Sequence, residues 1–275
     1  MEVGEENGRH IFQHIMGELR LQKPEECSIA RLKYIVFFVI DTSGSTAGAP
    51  IARINSAIPS CVEKLKKRQE LEADYELQFA VLQFNNACNW VTGSTPLPIE
   101  DFTWKNLNSE GPGIISLAAN ELNAKMSRKA LLNGFDYYYA PIVIILSDGA
   151  TSSLDEDVYD SIVALQRNLW FAKSTKIAIS ISEIADAQLL YALVGDKNAI
   201  VTLPENAPLD EILYYCIKYA GNTDIDYLDR YKTNGGAVGS YVNDEFSLKP
   251  DDSLSYIVEN EAVAYDVDDD WGSDR

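Results

Sequence analysis

The sequence predicts an α/β fold, a doubly wound and mainly parallel sheet with helices on both faces. Apolar runs with the composition of buried parallel strands occur at residues 34–40 and 141–146. Segments with helical spacing alternate with strand-like segments along most of the chain, which is typical of parallel strands joined by right-handed helical crossovers. The apolar content of 46% suffices for one substantial core. We therefore expect one main domain with appendages rather than two equal domains.

The segment before the first core strand contains one amphipathic stretch. Its apolar residues recur with helical spacing and are Ile11, Phe12, Ile15, Met16 and Leu19. We expect an N-terminal helix of about three turns and a linker over residues 1–32, with an apolar stripe that needs a partner surface.

Strands and helices are expected to alternate over the domain at residues 33–221. The first strand is followed by a polar loop and by a helix whose buried stripe runs from Ile51 to Leu65. A strand at 75–84 leads to a short strand at 87–91, and a loop-rich stretch follows at 93–113. The later elements are helices at 114–126, 155–172, 185–194 and 209–220 and strands at 141–146, 176–181 and 200–203.

Residues 222–275 are expected to be an acidic and largely disordered tail. From Asp251 to Arg275 there are nine acidic residues and one arginine. The run Asn234-Gly235-Gly236 has the composition of a linker. Segments with high net charge and few apolar residues cannot bury enough surface to fold on their own.

Charge and cysteine usage limit the classes of partner and the compartment. The formal net charge of −19 weighs against nucleic acid and anionic membranes, which are bound by basic surfaces. No run approaches the roughly 20 apolar residues that span a bilayer, and the N-terminus is acidic where a secretory signal is basic. The four cysteines lack Cys-x-x-Cys spacing and are expected to be thiols. We expect a cytosolic protein.

Oxygen-bearing side chains follow two of the buried strands. Asp41, Ser43 and Ser45 come directly after the first strand, and the strand at 141–146 runs into Ser147-Asp148-Gly149, so each strand ends in an aspartate, with the two hydroxyls of Ser43 and Ser45 between them. Open α/β sheets bind ligands at the carboxyl ends of their strands. An oxygen-only set of this kind suits magnesium better than zinc. Because Asp-x-Ser-x-Ser is also common in turns and helix caps, the prediction depends on both strand contexts.

These two motifs carry a resemblance to a known family. Asp-Thr-Ser-Gly-Ser at 41–45 with Leu-Ser-Asp-Gly at 146–149 resembles the metal-ion-dependent adhesion site of von Willebrand factor A domains, over roughly residues 33–221. The resemblance implies a Rossmann-like sheet with one antiparallel edge strand. It also implies that Mg²⁺ or Mn²⁺ is held by Asp41, Ser43, Ser45 and Asp148.

One part of the family pattern is missing. The family carries Gly-Gly-Thr between the two motifs, with the threonine as a metal ligand, whereas this chain has Gly111-Pro112-Gly113. Gly113 therefore stands at the usual threonine position. Ser109 or Glu110 could supply a substitute oxygen, or water could fill the position, since magnesium normally keeps several waters. We expect weaker metal binding than in a complete site.

Three classes of enzyme would need residues that are missing here. A serine hydrolase needs Gly-x-Ser-x-Gly and a histidine base, and a phosphate-binding loop needs Gly-x-x-x-x-Gly-Lys-Ser/Thr; neither arrangement occurs here. A phosphatase of the haloacid-dehalogenase type would use Asp41 as nucleophile. It would also need an acid two residues later, where this chain has Ser43.

The favoured interpretation is a non-enzymatic binding module whose metal accepts a carboxylate from a protein partner. Residues 41–51 are similar to tellurite-resistance Y-type von Willebrand A proteins. That resemblance implies a cytosolic adaptor in a bacterial stress-response or defence system with a protein kinase and phosphatase. An adaptor for an ATPase chaperone is the alternative within the same fold.

Overall fold

The structure is a computed structural model that describes residues 32–70, 75–132, 138–150, 156–182, 187–220 and 235–248. The N-terminal helix expected within residues 1–32 and the tail from residue 249 onward lie outside the described residues.

A single sheet forms the centre of the domain. Its strands are β1 (Leu32–Asp41), β2 (Tyr75–Phe84), β3 (Cys88–Trp90), β4 (Leu97–Pro98), β5 (Ile142–Ser147), β6 (Thr175–Ser180) and β7 (Ile200–Thr202). The order is β3-β2-β1-β5-β6-β7, and β4 also pairs with β2. All pairs are parallel except those of β2 with β3 and β4. The predicted fold class is confirmed, with two short strands rather than one on the antiparallel edge.

Seven α-helices are present in the described residues. They are α1 (Ala49–Gln69), α2 (Ile115–Lys125), α3 (Glu156–Gln166), α4 (Leu169–Lys173), α5 (Ala187–Val194), α6 (Leu209–Ala220) and α7 (Gly235–Glu245). The prediction of a single helix at 155–172 is wrong, because α3 ends at Gln166 and α4 begins at Leu169. The Asn168 side chain accepts hydrogen bonds from the backbone N–H groups of Trp170 and Phe171 at 3.0 and 3.1 Å. This N-cap starts a new helix.

Both faces of the sheet are covered, as parallel sheets require. On β1, Val36 and Phe38 pack with α1, α6 and α7 on one face, whereas Phe37 and Val39 pack with α2, α3 and α5 on the other. Such alternation follows from the period of two along a strand. In the part of the chain that the structure describes, no helix combines the length and the apolar character needed to cross a bilayer.

Helix α7 lies within the range that was expected to be a disordered tail, so that expectation fails for residues 235–248. Val238, Val242 and Leu248 are buried in the same core as α1 and α6. A Cβ atom at Gly235 or Gly239 would overlap the backbone carbonyl of Lys176 or Asn198. The glycines therefore allow close approach of the helix to the sheet rather than forming a linker.

Candidate metal centre

The candidate site lies where the strand order reverses. Strand β1 pairs with β2 on one side and with β5 on the other, so the crevice between β1 and β5 is the topological switch point at which open α/β sheets bind ligands. Asp41 ends β1, and Asp148 directly follows β5. Because Ile40 is paired with Leu146, Asp41 and Ser147 lie at the same level of the sheet.

The carboxylate of Asp41 is buried and held on both oxygens. Its Oδ1 accepts a 2.9 Å hydrogen bond from the backbone N–H of Ser43, and its Oδ2 accepts a 2.7 Å hydrogen bond from Ser147 Oγ. The pKa of Asp41 is raised above its ordinary value, first by burial and also by the nearby negative charge of Asp148. The hydrogen bonds from Ser43 and Ser147 act in the opposite direction. Two carboxylates therefore repel each other here, and a cation between them would relieve the repulsion.

Two hydroxyl groups lie beside the carboxylates. Ser43 Oγ and Ser45 Oγ are 2.9 Å apart. Ser43 is buried and Ser45 is exposed, so the pair leads from the interior to the solvent. Adjacent ligands of an octahedral magnesium ion at about 2.1 Å are themselves about 3.0 Å apart. The hydroxyl spacing therefore fits two neighbouring ligands of one magnesium ion.

The turn after β5 orients the second carboxylate. Asp148 is buried, and its Oδ1 accepts a 2.9 Å hydrogen bond from the backbone N–H of Ala150. Ser147 Oγ accepts from the N–H of Gly149 at 3.0 Å while it donates to Asp41. Ser147 was not among the residues expected from the sequence to act at this site. The signal that could have found it is its position just before Asp148, opposite the end of the neighbouring strand.

The loop after β1 is hydrogen-bonded to the end of β2. Thr42 donates to the carbonyl oxygen of Phe84 from its backbone N–H at 2.8 Å and from its hydroxyl at 3.0 Å. This side chain was also not singled out by the sequence analysis. Its effect is to fix the backbone that carries Asp41 and Ser43.

The loop at residues 109–113 lies beside the site and brings no side-chain oxygen at Gly113. A Cβ atom at this glycine would lie 3.3 Å from Ser43 Cβ and 3.2 Å from the carbonyl oxygen of Ala150. Of the two substitutes considered, Ser109 Oγ lies 2.8 Å from Thr46 Oγ1. Glu110 is exposed, and its backbone N–H donates to Thr42 O at 2.9 Å.

The donor set defines what the site could bind. Across the described segments of the chain, no group of three or more histidine, cysteine, aspartate or glutamate side chains is placed to hold a metal ion. A cation at the switch point would therefore depend on two carboxylates and neutral hydroxyls. This all-oxygen set fits a hard cation such as Mg²⁺ or Mn²⁺.

No family model matches this chain, and no curated protein matches it. Among solved structures, a von Willebrand factor type A protein from Catenulispora acidiphila shares 16% identity at a TM-score of 0.49, covering 66% of this chain and 41% of that protein.

Proximal thread matrix protein 1 from the mussel byssus shares 16% identity at a TM-score of 0.46, covering 67% of this chain and 47% of that protein. A second structure of it, described as having a zinc-occupied MIDAS motif, gives 16% identity and a TM-score of 0.44 over the same shares. This chain spans less than half of the length of each of these proteins. Similarity at this level shows the fold alone. The structural neighbours of the chain thus include a von Willebrand factor A protein.

Proposed function

We propose that the chain is a metal-dependent protein-binding module and not an enzyme. The observation that carries the proposal is the group of oxygens at the β1–β5 switch point, in which buried Asp41 and Ser43 adjoin the exposed hydroxyl of Ser45. A cation at this place would be open to solvent on the side of Ser45. A partner could reach it there.

Each residue has a separate part in this proposal. Asp41, Ser43, Ser45 and Asp148 hold Mg²⁺ or Mn²⁺. Ser147 and the N–H of Ser43 orient the carboxylate of Asp41, at 2.7 and 2.9 Å. When bound, the cation supplies an electrophilic position for a carboxylate, because neutral hydroxyl ligands leave much of its charge uncompensated. The partner is therefore a protein that presents an aspartate or glutamate.

The site is poorly suited to phosphate transfer by Asp41. A phosphatase of the haloacid-dehalogenase type needs a proton donor two residues after its nucleophile, and this chain has a serine there. In addition, both oxygens of Asp41 accept hydrogen bonds from the protein. The test is hydrolysis of phosphate and acyl esters, for which we expect no turnover above background. Turnover that is lost in Asp41→Asn would overturn the proposal.

The cellular role belongs to the same proposal. Residues 41–51 resemble tellurite-resistance Y-type proteins, which favours a cytosolic adaptor that works with a protein kinase and phosphatase. The alternative is an adaptor for an ATPase chaperone. Affinity capture with and without magnesium, from wild-type protein and Asp41→Ala, distinguishes them by the class of enzyme retained. A partner retained equally by both proteins in the presence of chelator would contradict metal-dependent binding.

A further inference from the structure

Two hydroxyl groups, those of buried Thr46 and half-buried Ser109, are in contact next to the segment that carries Asp41, Ser43 and Ser45. Thr46, which has no solvent exposure, belongs to the short 3-10 helix Gly44–Thr46. Its Oγ1 is 2.8 Å from the carbonyl oxygen of Ser43, 3.3 Å from that of Asp41 and 2.8 Å from Ser109 Oγ. The Thr46 hydroxyl thus joins the backbone of two candidate ligand residues to a loop 63 residues further along the chain.

The direction of these hydrogen bonds follows from counting protons. A threonine hydroxyl has one proton to donate and lone pairs that can accept. The carbonyl oxygens of Ser43 and Asp41 can only accept, so the single proton of Thr46 is donated mainly to Ser43 O at 2.8 Å, with Asp41 O at 3.3 Å as a weaker second acceptor. Ser109 is consequently the donor in its contact with Thr46.

Two backbone hydrogen bonds next to this contact join the same two segments of the chain. The N–H of Glu110 donates to Thr42 O at 2.9 Å, and the N–H of Gly44 donates to Gly111 O at 2.8 Å. Residues 109–111 therefore run along residues 42–46. The side chain of Ser109 adds a contact between the two segments. Its partner is the Thr46 hydroxyl, which contacts the backbone carbonyl oxygens of Asp41 and Ser43.

We propose that Ser109 is a positioning residue of the metal site that acts through Thr46. It fixes the Thr46 hydroxyl, which in turn fixes the backbone from which the oxygens of Asp41 and Ser43 project. Residues that orient metal ligands in this way commonly change metal affinity by about 10- to 100-fold when they are mutated. The loop at residues 109–113 thus supports the site through Ser109, although Gly113 offers no ligand. This inference rests on the proposed metal site.

The experiment is a double-mutant cycle on the full chain, with Mn²⁺ affinity measured by calorimetry. We expect Ser109→Ala to weaken Mn²⁺ binding about tenfold. Ser109→Thr keeps the hydroxyl and should bind Mn²⁺ with the affinity of wild type. Thr46→Val should weaken binding at least as much. Adding Ser109→Ala to Thr46→Val should then change affinity by less than about twofold, because interacting residues are not additive.

The controls separate the possible outcomes. Ser161→Ala removes a hydroxyl that donates to a backbone carbonyl on α3 and should leave Mn²⁺ affinity unchanged. Wild-type affinity in Ser109→Ala would overturn the inference alone. A full second loss in the double variant would also overturn it, because Ser109 would then act independently of Thr46. A wild-type protein that binds no Mn²⁺ would instead refute the proposed function and this inference with it.

A second measurement covers the case in which Thr46→Val does not fold. Luminescence lifetimes of Eu³⁺ in H₂O and D₂O count the waters on the bound ion. If Ser109 positions the loop, Ser109→Ala should leave the number of waters unchanged while it weakens binding. One additional water in the variant would show that Ser109 is itself a ligand and would overturn the inference.

Discussion

Ser147 Oγ donates a 2.7 Å hydrogen bond to Oδ2 of Asp41, although the two residues are 106 positions apart. The contact is a direct consequence of the parallel pairing of β1 with β5, which places the ends of both strands at one level. The carboxylate that the candidate site depends on is therefore oriented by the sheet itself. Such orientation lowers the reorganisation needed when a cation binds.

The first prediction is that Ser147→Ala weakens Mg²⁺ or Mn²⁺ binding by about tenfold, because Asp41 loses the donor on Oδ2. Ser180→Ala is the matched control. Ser180 is equally buried, lies beside Ser147 on β6 and donates to the carbonyl oxygen of Ser182. Ser180→Ala should lose about 1 kcal/mol of stability, and Ser147→Ala about 1.5–3 kcal/mol, because Ser147 bonds a carboxylate and Ser180 a carbonyl. Only Ser147→Ala should lose affinity, and equal metal affinities in calorimetry would count against the proposed role.

The second prediction concerns Gly113. Alanine and threonine would both place a Cβ atom 3.2 Å from Ala150 O and 3.3 Å from Ser43 Cβ, so both should disturb the site. Threonine also brings the oxygen found at this position in von Willebrand A domains. We expect Gly113→Ala to bind metal more weakly than wild type, and Gly113→Thr to bind more tightly than Gly113→Ala. Equal affinities of the two variants would mean that the hydroxyl does not reach the cation.

Much of the fold could be predicted from local patterns. The apolar runs of β1 and β5 and the polar residues after them identify the strands and the edge of the sheet at which side chains could gather. The contacts of Ser147 with Asp41 and of Ser109 with Thr46 could not be predicted. They depend on strand register and on the path of a loop, and neither leaves a periodic signal in the sequence.

Helix α7 was missed for a different reason. Glycines are poor helix formers and are typical of linkers, so the run Asn234-Gly235-Gly236 favoured a linker. In the structure, α7 can lie against the backbone of Lys176 and Asn198 because glycine has no side chain at Gly235 and Gly239. Tertiary packing outweighs local propensity here.

The third prediction follows from this packing. Gly239→Ala should lower the free energy of unfolding by about 1–3 kcal/mol, because the new methyl group would overlap the carbonyl oxygen of Asn198. Ser240→Ala, at the next and exposed position of α7, should change stability by less than about 0.5 kcal/mol. Urea denaturation checks both values. A chain ending at Gly221 should also be less stable than one ending at Pro250, since it lacks Val238 and Val242.

The fourth prediction is a pH dependence that comes from Lys176. Burial lowers the pKa of Lys176 to about 8, whereas its ordinary value is 10.5. Between these values the unfolded chain binds a proton that the folded chain does not, so this residue makes stability rise with pH. Below the folded pKa, the buried ammonium group lowers stability.

Lys176→Met removes this contribution. The stability of wild type minus that of the variant should increase from pH 7 to pH 10, as measured by urea denaturation at each pH. Other titrating groups cancel in the difference. Parallel stability curves for the two proteins would contradict a buried lysine with a lowered pKa.

The most direct test of the proposed function is calorimetric titration of the full chain with Mg²⁺ and Mn²⁺, with Zn²⁺ as a comparison. We expect saturable binding of one Mg²⁺ or Mn²⁺ per chain that is lost in Asp41→Ala, because that variant removes a carboxylate from the switch point. Asp157→Ala, which removes an exposed acidic side chain on α3, should bind like wild type. Equal Mg²⁺ and Mn²⁺ binding by wild type and Asp41→Ala would contradict the assignment of the metal centre.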